Sequence, residues 1–316
     1  MKPYLMKYGA KCMVNMSTFF PTLQAALAAC PHPNNTSIIM IDFFNQFFNS
    51  PVMQDALPPA LLIAFITASM SIMVVAHRLS FLTVGVSHAS LAGLGLAVAL
   101  SLPLLPTAAA TAIAIALLLA VLPNRQGINE DAGTGMLFAG SMALGVVLIS
   151  NTSRNEVDLF GLLFGNILTV SPDDMQWILG GSVLVMLSII LWAKSWWSMA
   201  FDMITAKASG IATSRLRLTL HGMIGLTVVM CVKLAGIVLT TGLLVLPAAC
   251  AWFWGRSMFS LWRLSLGFSF IGTLAGLMWS YQYDWPSGAA IILMLCVLFM
   301  LSWAASWLRQ QYQKSR

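Results

Sequence analysis

The chain alternates between apolar stretches of roughly twenty residues and short polar or proline-marked breaks. A helix rising 1.5 Å per residue needs about 20 apolar residues to cross ~30 Å of hydrocarbon, and that length recurs along the chain. The pattern predicts spans at about Leu57–His77, Phe81–Leu100, Leu104–Leu122, Thr134–Ile149, Met175–Ala193, Leu218–Thr241, Gly242–Trp254, Leu264–Tyr281 and Ser287–Leu308. The seventh follows the sixth with almost no polar residue between them, which predicts a broken helix. Leu159–Val170 is apolar but short and glycine-broken, as in a re-entrant or interfacial helix. The expected fold class is all-α: a polytopic helical membrane protein with about eight to nine transmembrane helices.

Composition agrees with this reading. Only 8% of the 316 residues are charged and 59% are hydrophobic, with a mean hydropathy of +0.85. Soluble domains carry about 25% charged residues. The net charge of +6 therefore reports topology and points to no nucleic-acid partner. Alternate loops hold Arg78, then Arg125, then Lys194, Lys207, Arg215 and Arg217, then Arg256 and Arg263, then the tail with Arg309, Lys314 and Arg316. After Met40 the opposite loops hold only Arg154. Lysine and arginine stay on the cytoplasmic side, so nine spans predict an outside N-terminus and a cytoplasmic C-terminus.

Residues 1–39 do not fit the pattern. Ser17–Cys30 is too short to span, Pro31-His-Pro-Asn-Asn breaks it, and no signal-peptide pattern is present. Met40 precedes an amphipathic start, so 1–39 is expected to be a mis-assigned upstream extension and 40–316 the transmembrane domain. The five cysteines show no metal-ligand spacing.

Chemistry concentrates in Val84-Gly-Val-Ser-His88-Ala-Ser-Leu-Ala-Gly93. A histidine inside a membrane span costs several kcal/mol without a partner, and reads either as a functional site, most often on a transport route, or as a core histidine bonded to a neighbouring helix. The small residues around it let helices approach closely. Lys233 lies about halfway along the sixth span, where burial with a partner or a wet cavity is expected. His221 reads as interfacial, near the cytoplasmic end of the same span. Pro247 would kink its helix and free backbone groups to line a cavity. In the longest cytoplasmic loop, about 194–217, Phe201–Ile211 reads as a short amphipathic helix capped by Asp202 and ended by Gly210. There is no GxxxxGK[ST], so any ATP that drives transport is hydrolysed by another subunit. No catalytic triad or carboxylate pair is visible in the spans, and an enzyme is not expected.

Six segments in order resemble the permease subunits of ABC-type zinc/manganese/iron importers. They are Ser87-His88-Ala89 with Gly93; Asn129-Glu-Asp through Phe138; Leu163-Phe-Gly-Asn-Ile-Leu through Pro172; Phe201-Asp202 with Ala208-Ser-Gly210-Ile211; Lys233-Leu-Ala-Gly236 with Leu243–Ala249; and Tyr283-Asp284-Trp-Pro286-Ser-Gly-Ala289. The resemblance implies a homodimer or pseudo-dimer in the bacterial cytoplasmic (inner) membrane. Each half would sit on an ATP-binding subunit through Phe201, Asp202, Ala208 and Gly210. A periplasmic or lipid-anchored metal-binding protein would deliver cargo. Zn²⁺, or Mn²⁺ or Fe²⁺, would be the substrate, with no permanently bound cofactor. His88, Ser87 and Asp284 would form the metal pathway, and Gly93, Lys233, Pro247 and Pro286 would shape or line it.

One departure bears on the metal. The family carries Gly-Asp where this chain has Thr83-Val84, four residues before the histidine. Positions four apart share a helix face, so an Asp and His there would form a two-ligand ledge. With Val84 the anionic oxygen is gone, which favours a borderline ion such as Zn²⁺ over oxygen-preferring Mn²⁺. A metal chelate as cargo, or charge supplied by Asp284, are the other readings. An ion-coupled secondary transporter is the alternative class, and the scarcity of intramembrane carboxylates counts against it.

Overall fold

The computed structural model describes residues 45–122, 130–150, 165 and 172–314, of which 45–49 form a helical turn in a unit of their own. The predicted start at Met40 and the Leu159–Val170 segment lie outside the described residues, apart from Gly165. The remainder is helical: α1 (Pro51–Ala76), α2 (Ser80–Leu100), α3 (Leu104–Val121), α4 (Glu130–Ser150), α5 (Pro172–Phe201), α6 (Met203–Ala208), α7 (Thr213–Trp252), α8 (Met258–Tyr283) and α9 (Ser287–Lys314). Among the described residues there is no strand. Eight stretches are long and apolar enough to cross a membrane, and Leu239–Trp252 is a shorter apolar helix.

At 40 residues, α7 would be about 60 Å long if straight, twice the hydrocarbon thickness. It is not straight. Gly236 has φ 78° and ψ 167°, a backbone that L side chains avoid, and it divides the helix into two limbs. Two adjacent tryptophans on α5 give the direction of each limb. The Trp196 indole donates to the Leu216 carbonyl near the start of α7 at 3.0 Å. Its neighbour Trp197 packs on a cluster of Ile72, Ala248, Ala251 and Leu261, near the end of α7. Both ends of α7 thus meet the same stretch of α5, so the limbs run antiparallel and the chain turns back at Gly236. The broken helix predicted from the sequence is present, with its break at Gly236 rather than Gly242. The glycine supplies the left-handed backbone that the break requires.

The same contacts collect the basic residues at one end of the bundle. Late α1, late α5, both ends of α7 and early α8 meet there. Arg78, Lys194, Lys207, Arg215, Arg217, Arg256 and Arg263 lie in or beside those segments, and late α9 joins them through the Arg309 guanidinium, 6.0 Å from the Trp254 ring. The link from α5 to α7 is shorter than the expected 194–217 loop. Helix α5 continues through Phe201 because its inner face still buries Trp196 and Met199.

Polar side chains join the helices where apolar packing against lipid offers no preference. Ser265 and Ser269 of α8 donate to the carbonyls of Ala68 and Ala64 of α1, each at 2.9 Å. Ser302 of α9 donates to Cys250 O and accepts from the Trp254 indole. The small-residue pair Gly272-x-x-x-Gly276 faces α9: an added Cβ at Gly276 would run into the Ile291 backbone.

Candidate functional site: a histidine on the α2–α4 seam

Helix α2 is the polar heart of the bundle. Thr83, Ser87 and Ser90 are fully buried, and each returns its hydroxyl to a carbonyl three residues earlier on its own helix. This internal satisfaction lets a serine- and threonine-rich helix sit inside a membrane bundle. Glycines set how closely α4 approaches it. An added Cβ at Gly145 would meet the backbone of Leu91 and Ala92 at 2.9–3.0 Å, and one at Gly95 would meet Gly145 O at 2.9 Å.

His88 is half-buried on this helix. Its Nδ1 lies 2.9 Å from Val84 O and 3.4 Å from Ser87 Oγ. A carbonyl can only accept, so Nδ1 carries the proton and donates to it. In the neutral ring Nε2 then holds the lone pair. The ring packs edge-on against Phe138 of α4, with centroids 4.6 Å apart at 76°. Backbone carbonyl and aromatic wall fix both tautomer and orientation, as a metal-binding imidazole requires. Among the described residues, however, no group of three or more His, Cys, Asp or Glu side chains is placed to hold a metal. The seam offers one nitrogen ligand and no closed cage.

The other predicted residues fall in different places. Ser87 is buried beside His88 and hydrogen-bonded to Val84 O at 2.9 Å. Asp284 ends α8 in a left-handed conformation (φ 54°) and is exposed. His88 lies about 12 Å from the start of α2 at the basic end, whereas α8, with 26 residues, is about 39 Å long. Asp284 thus lies toward the opposite end and is not brought to His88. Pro286 is exposed in the same α8–α9 turn. Gly93 serves the α2–α3 contact, where an added Cβ would come within 2.9 Å of Ala108 Cα. Lys233 is on the first limb of α7, three residues before the reversal, and its side chain lies outside the described residues.

Pro247 is buried against α1. A proline frees backbone groups within a helix. The Ser71 hydroxyl accepts from Ala248 N at 3.1 Å and donates to Val245 O at 3.4 Å. Two backbone groups flanking the proline are therefore tied to a neighbouring helix. Ser71 is a partner that sequence reading missed, since nothing local links it to a proline 176 positions away.

The connecting helix α6 has the predicted cap. Asp202 accepts from Ile204 N at 2.9 Å and from the Thr205 hydroxyl, and Gly210 (φ 81°) lies just beyond its end. The Thr205 bond, then the backbone bonds, hold the Asp202 carboxyl below its ordinary value of 3.8. Phe201, at the end of α5, is 74% exposed, and Ile204 is 82% exposed. Two large apolar side chains thus stand in solvent at the basic end. Ala208 closes α6 and is exposed.

The model of the ABC 3 transport family matches residues 49–306. The chain belongs to that family. It is 31% identical over 260 residues to the manganese transport system membrane protein MntC of Halalkalibacterium halodurans, covering 82% of this chain and 89% of that one. It is 32% identical over 263 residues to a probable metal transport system membrane protein of Thermotoga maritima, covering 82% and 92%. The solved structure of PsaBC from Streptococcus pneumoniae in complex with Fab superposes with a TM-score of 0.74 at 26% identity, covering 83% of this chain and 95% of that one. The expected family and the all-α polytopic fold are thereby established. The chain is a multi-pass membrane protein and an ABC-type metal permease.

Proposed function

We propose that this chain is the membrane permease subunit of an ATP-driven importer of a divalent first-row metal, with manganese its first cargo. The observation that carries the reading is His88: a single oriented imidazole nitrogen on a membrane-buried seam, in a chain 31% identical to a membrane protein of a manganese transport system. A single nitrogen ligand suits passage, because a closed four-ligand site would trap the ion. Waters or the delivering protein's groups would complete the coordination shell during transit.

The basic end faces the cytoplasm in this reading. A separate ATP-binding subunit docks there on Phe201 and Ile204, since the chain has no phosphate-cradling loop of its own. A substrate-binding protein delivers the metal from the opposite side, and two copies of the chain form the permease. Localisation is the bacterial cytoplasmic membrane.

Zinc is the second reading, and Val84 favours it: the position that would hold a hard carboxylate oxygen holds a hydrocarbon. Uptake of manganese, zinc and iron in cells lacking their own importers, complemented by this chain with its ATP-binding subunit, decides between them. Restored manganese uptake supports the first reading and restored zinc uptake the second. Restoration of none of the three removes free metal as cargo.

A further inference from the structure

Below His88 the α2–α4 seam leads toward the basic end. Phe138 stands against His88, and one turn earlier Thr134, 2% exposed, stands against Gly85. One turn further lies a small, partly open pocket with room for little more than a water-sized ion, lined by Arg78, Leu79, Leu82, Leu119, the exposed Asp131, Thr134 and His221. Four helices and the α1–α2 turn converge on it. The sequence suggests that His221 is interfacial. In the structure it is 2% exposed and its ring lines this cavity. Its Nδ1 donates to Arg217 O at 2.9 Å, so in the neutral ring the lone pair is on Nε2, as in His88.

We infer that this cavity is a second, exit-side cation site, in which His221 Nε2 and the Asp131 carboxylate take the metal handed down the seam from His88. The inference rests on the metal-permease reading and extends it to a specific exit. An imidazole nitrogen with a carboxylate oxygen is a ligand pair that suits both manganese and zinc. The carboxylate that Val84 denies the upper position is supplied here. The two sites are about two helical turns apart, roughly 9 Å along α2 from His88 to Leu82. Arg78, on the same wall in a left-handed backbone (φ 60°), keeps the site shallow. Its charge opposes a resident cation and balances Asp131 when the site is empty, as a release site requires.

Pulsed electron paramagnetic resonance of the purified permease–ATPase complex in excess manganese tests this directly. Nitrogen from a coordinating imidazole modulates the manganese signal. We expect the modulation to persist in His88→Ala, through His221, and to vanish in His88→Ala/His221→Gln. Glutamine preserves a polar side chain of similar reach, so its melting temperature should match wild type. Uptake by His221→Gln and by Asp131→Asn should each fall about tenfold, the scale of lost ligand support. The inference is overturned if His88→Ala alone abolishes the modulation, if modulation survives in the double variant, or if both single variants transport like wild type. Wild type that neither transports nor binds manganese would instead overturn the manganese reading on which the inference rests.

Discussion

The carbonyl of Val84 is as important to the site as its side chain. It accepts from both His88 Nδ1 and Ser87 Oγ, each at 2.9 Å, and so points Nε2 away from the helix backbone. The side chain sets the charge. Val84→Asp would place a carboxylate one turn from His88, on the same face. We expect it to shift the uptake ratio toward manganese over zinc by about tenfold, the scale of one added ligand. Competition uptake with the two ions checks this, and an unchanged ratio would show that position 84 does not touch the cargo. His88 was legible in the sequence because an ionisable group in an apolar span stands out at once. Thr134, Phe138 and His221 were not, because they join His88 only through helix packing. That Asp284 lies far from His88 was not legible either, since a resembling motif carries no information about distance across a bundle.

At the scale of the element, α2, α6 and α7 each present a different test. Gly145 has no room for a side chain against Leu91 and Ala92, and the obstruction is backbone, which cannot rotate away. Gly145→Leu should therefore separate α2 from α4 and lower the melting temperature by several degrees, as expected for overpacking of about 1–3 kcal/mol. Ser71→Ala removes the hydroxyl that serves the backbone at Pro247, and should cost about 0.6–2 kcal/mol, the range for interhelical hydrogen bonds in membranes. Steric-trap or denaturant unfolding in detergent measures both. For α6 the pH dependence follows from Asp202. Its carboxyl is held below 3.8 by the Thr205 bond, so the cap is charged above that range and is lost only as pH falls through the lowered value. Amide exchange across residues 203–208, referenced to an uncapped peptide, should show unchanged protection from pH 8 to about 5. Loss of protection near neutrality would contradict the assignment.

The helix ends illustrate what pattern reading can and cannot resolve. Hydrophobic length gave most spans to within a few residues, because a bilayer fixes how much apolar chain is needed. It missed that α5 extends to Phe201, since the last two turns are held by Trp196 and Met199 packing inward rather than by lipid. It found a break between the sixth and seventh spans but misplaced it. Only the backbone angles show that Gly236, among several glycines in the stretch, is the one in the left-handed region.

For the whole molecule, the folding back of α7 settles which ends share a side. Both Arg217 and Arg256 come to the basic end, with the reversal at Gly236 between them. Single cysteines at 214 and 257, in a background without native cysteines, should both react with an impermeant thiol reagent only from the cytoplasmic side. Labelling of one from each side would break the antiparallel arrangement. The same end carries the exposed Phe201 and Ile204. Ile204→Asp should leave the permease folded yet abolish co-purification of the ATP-binding subunit, which size-exclusion chromatography would record.

The central claim is that metal crosses the membrane past the oriented imidazole of His88. It is tested most directly by manganese uptake into importer-deficient cells that express either wild type or His88→Ala at equal membrane abundance. The account predicts uptake by wild type and a fall of about tenfold or more without the imidazole. Equal uptake by the two proteins would contradict it and return His88 to a packing role against Phe138.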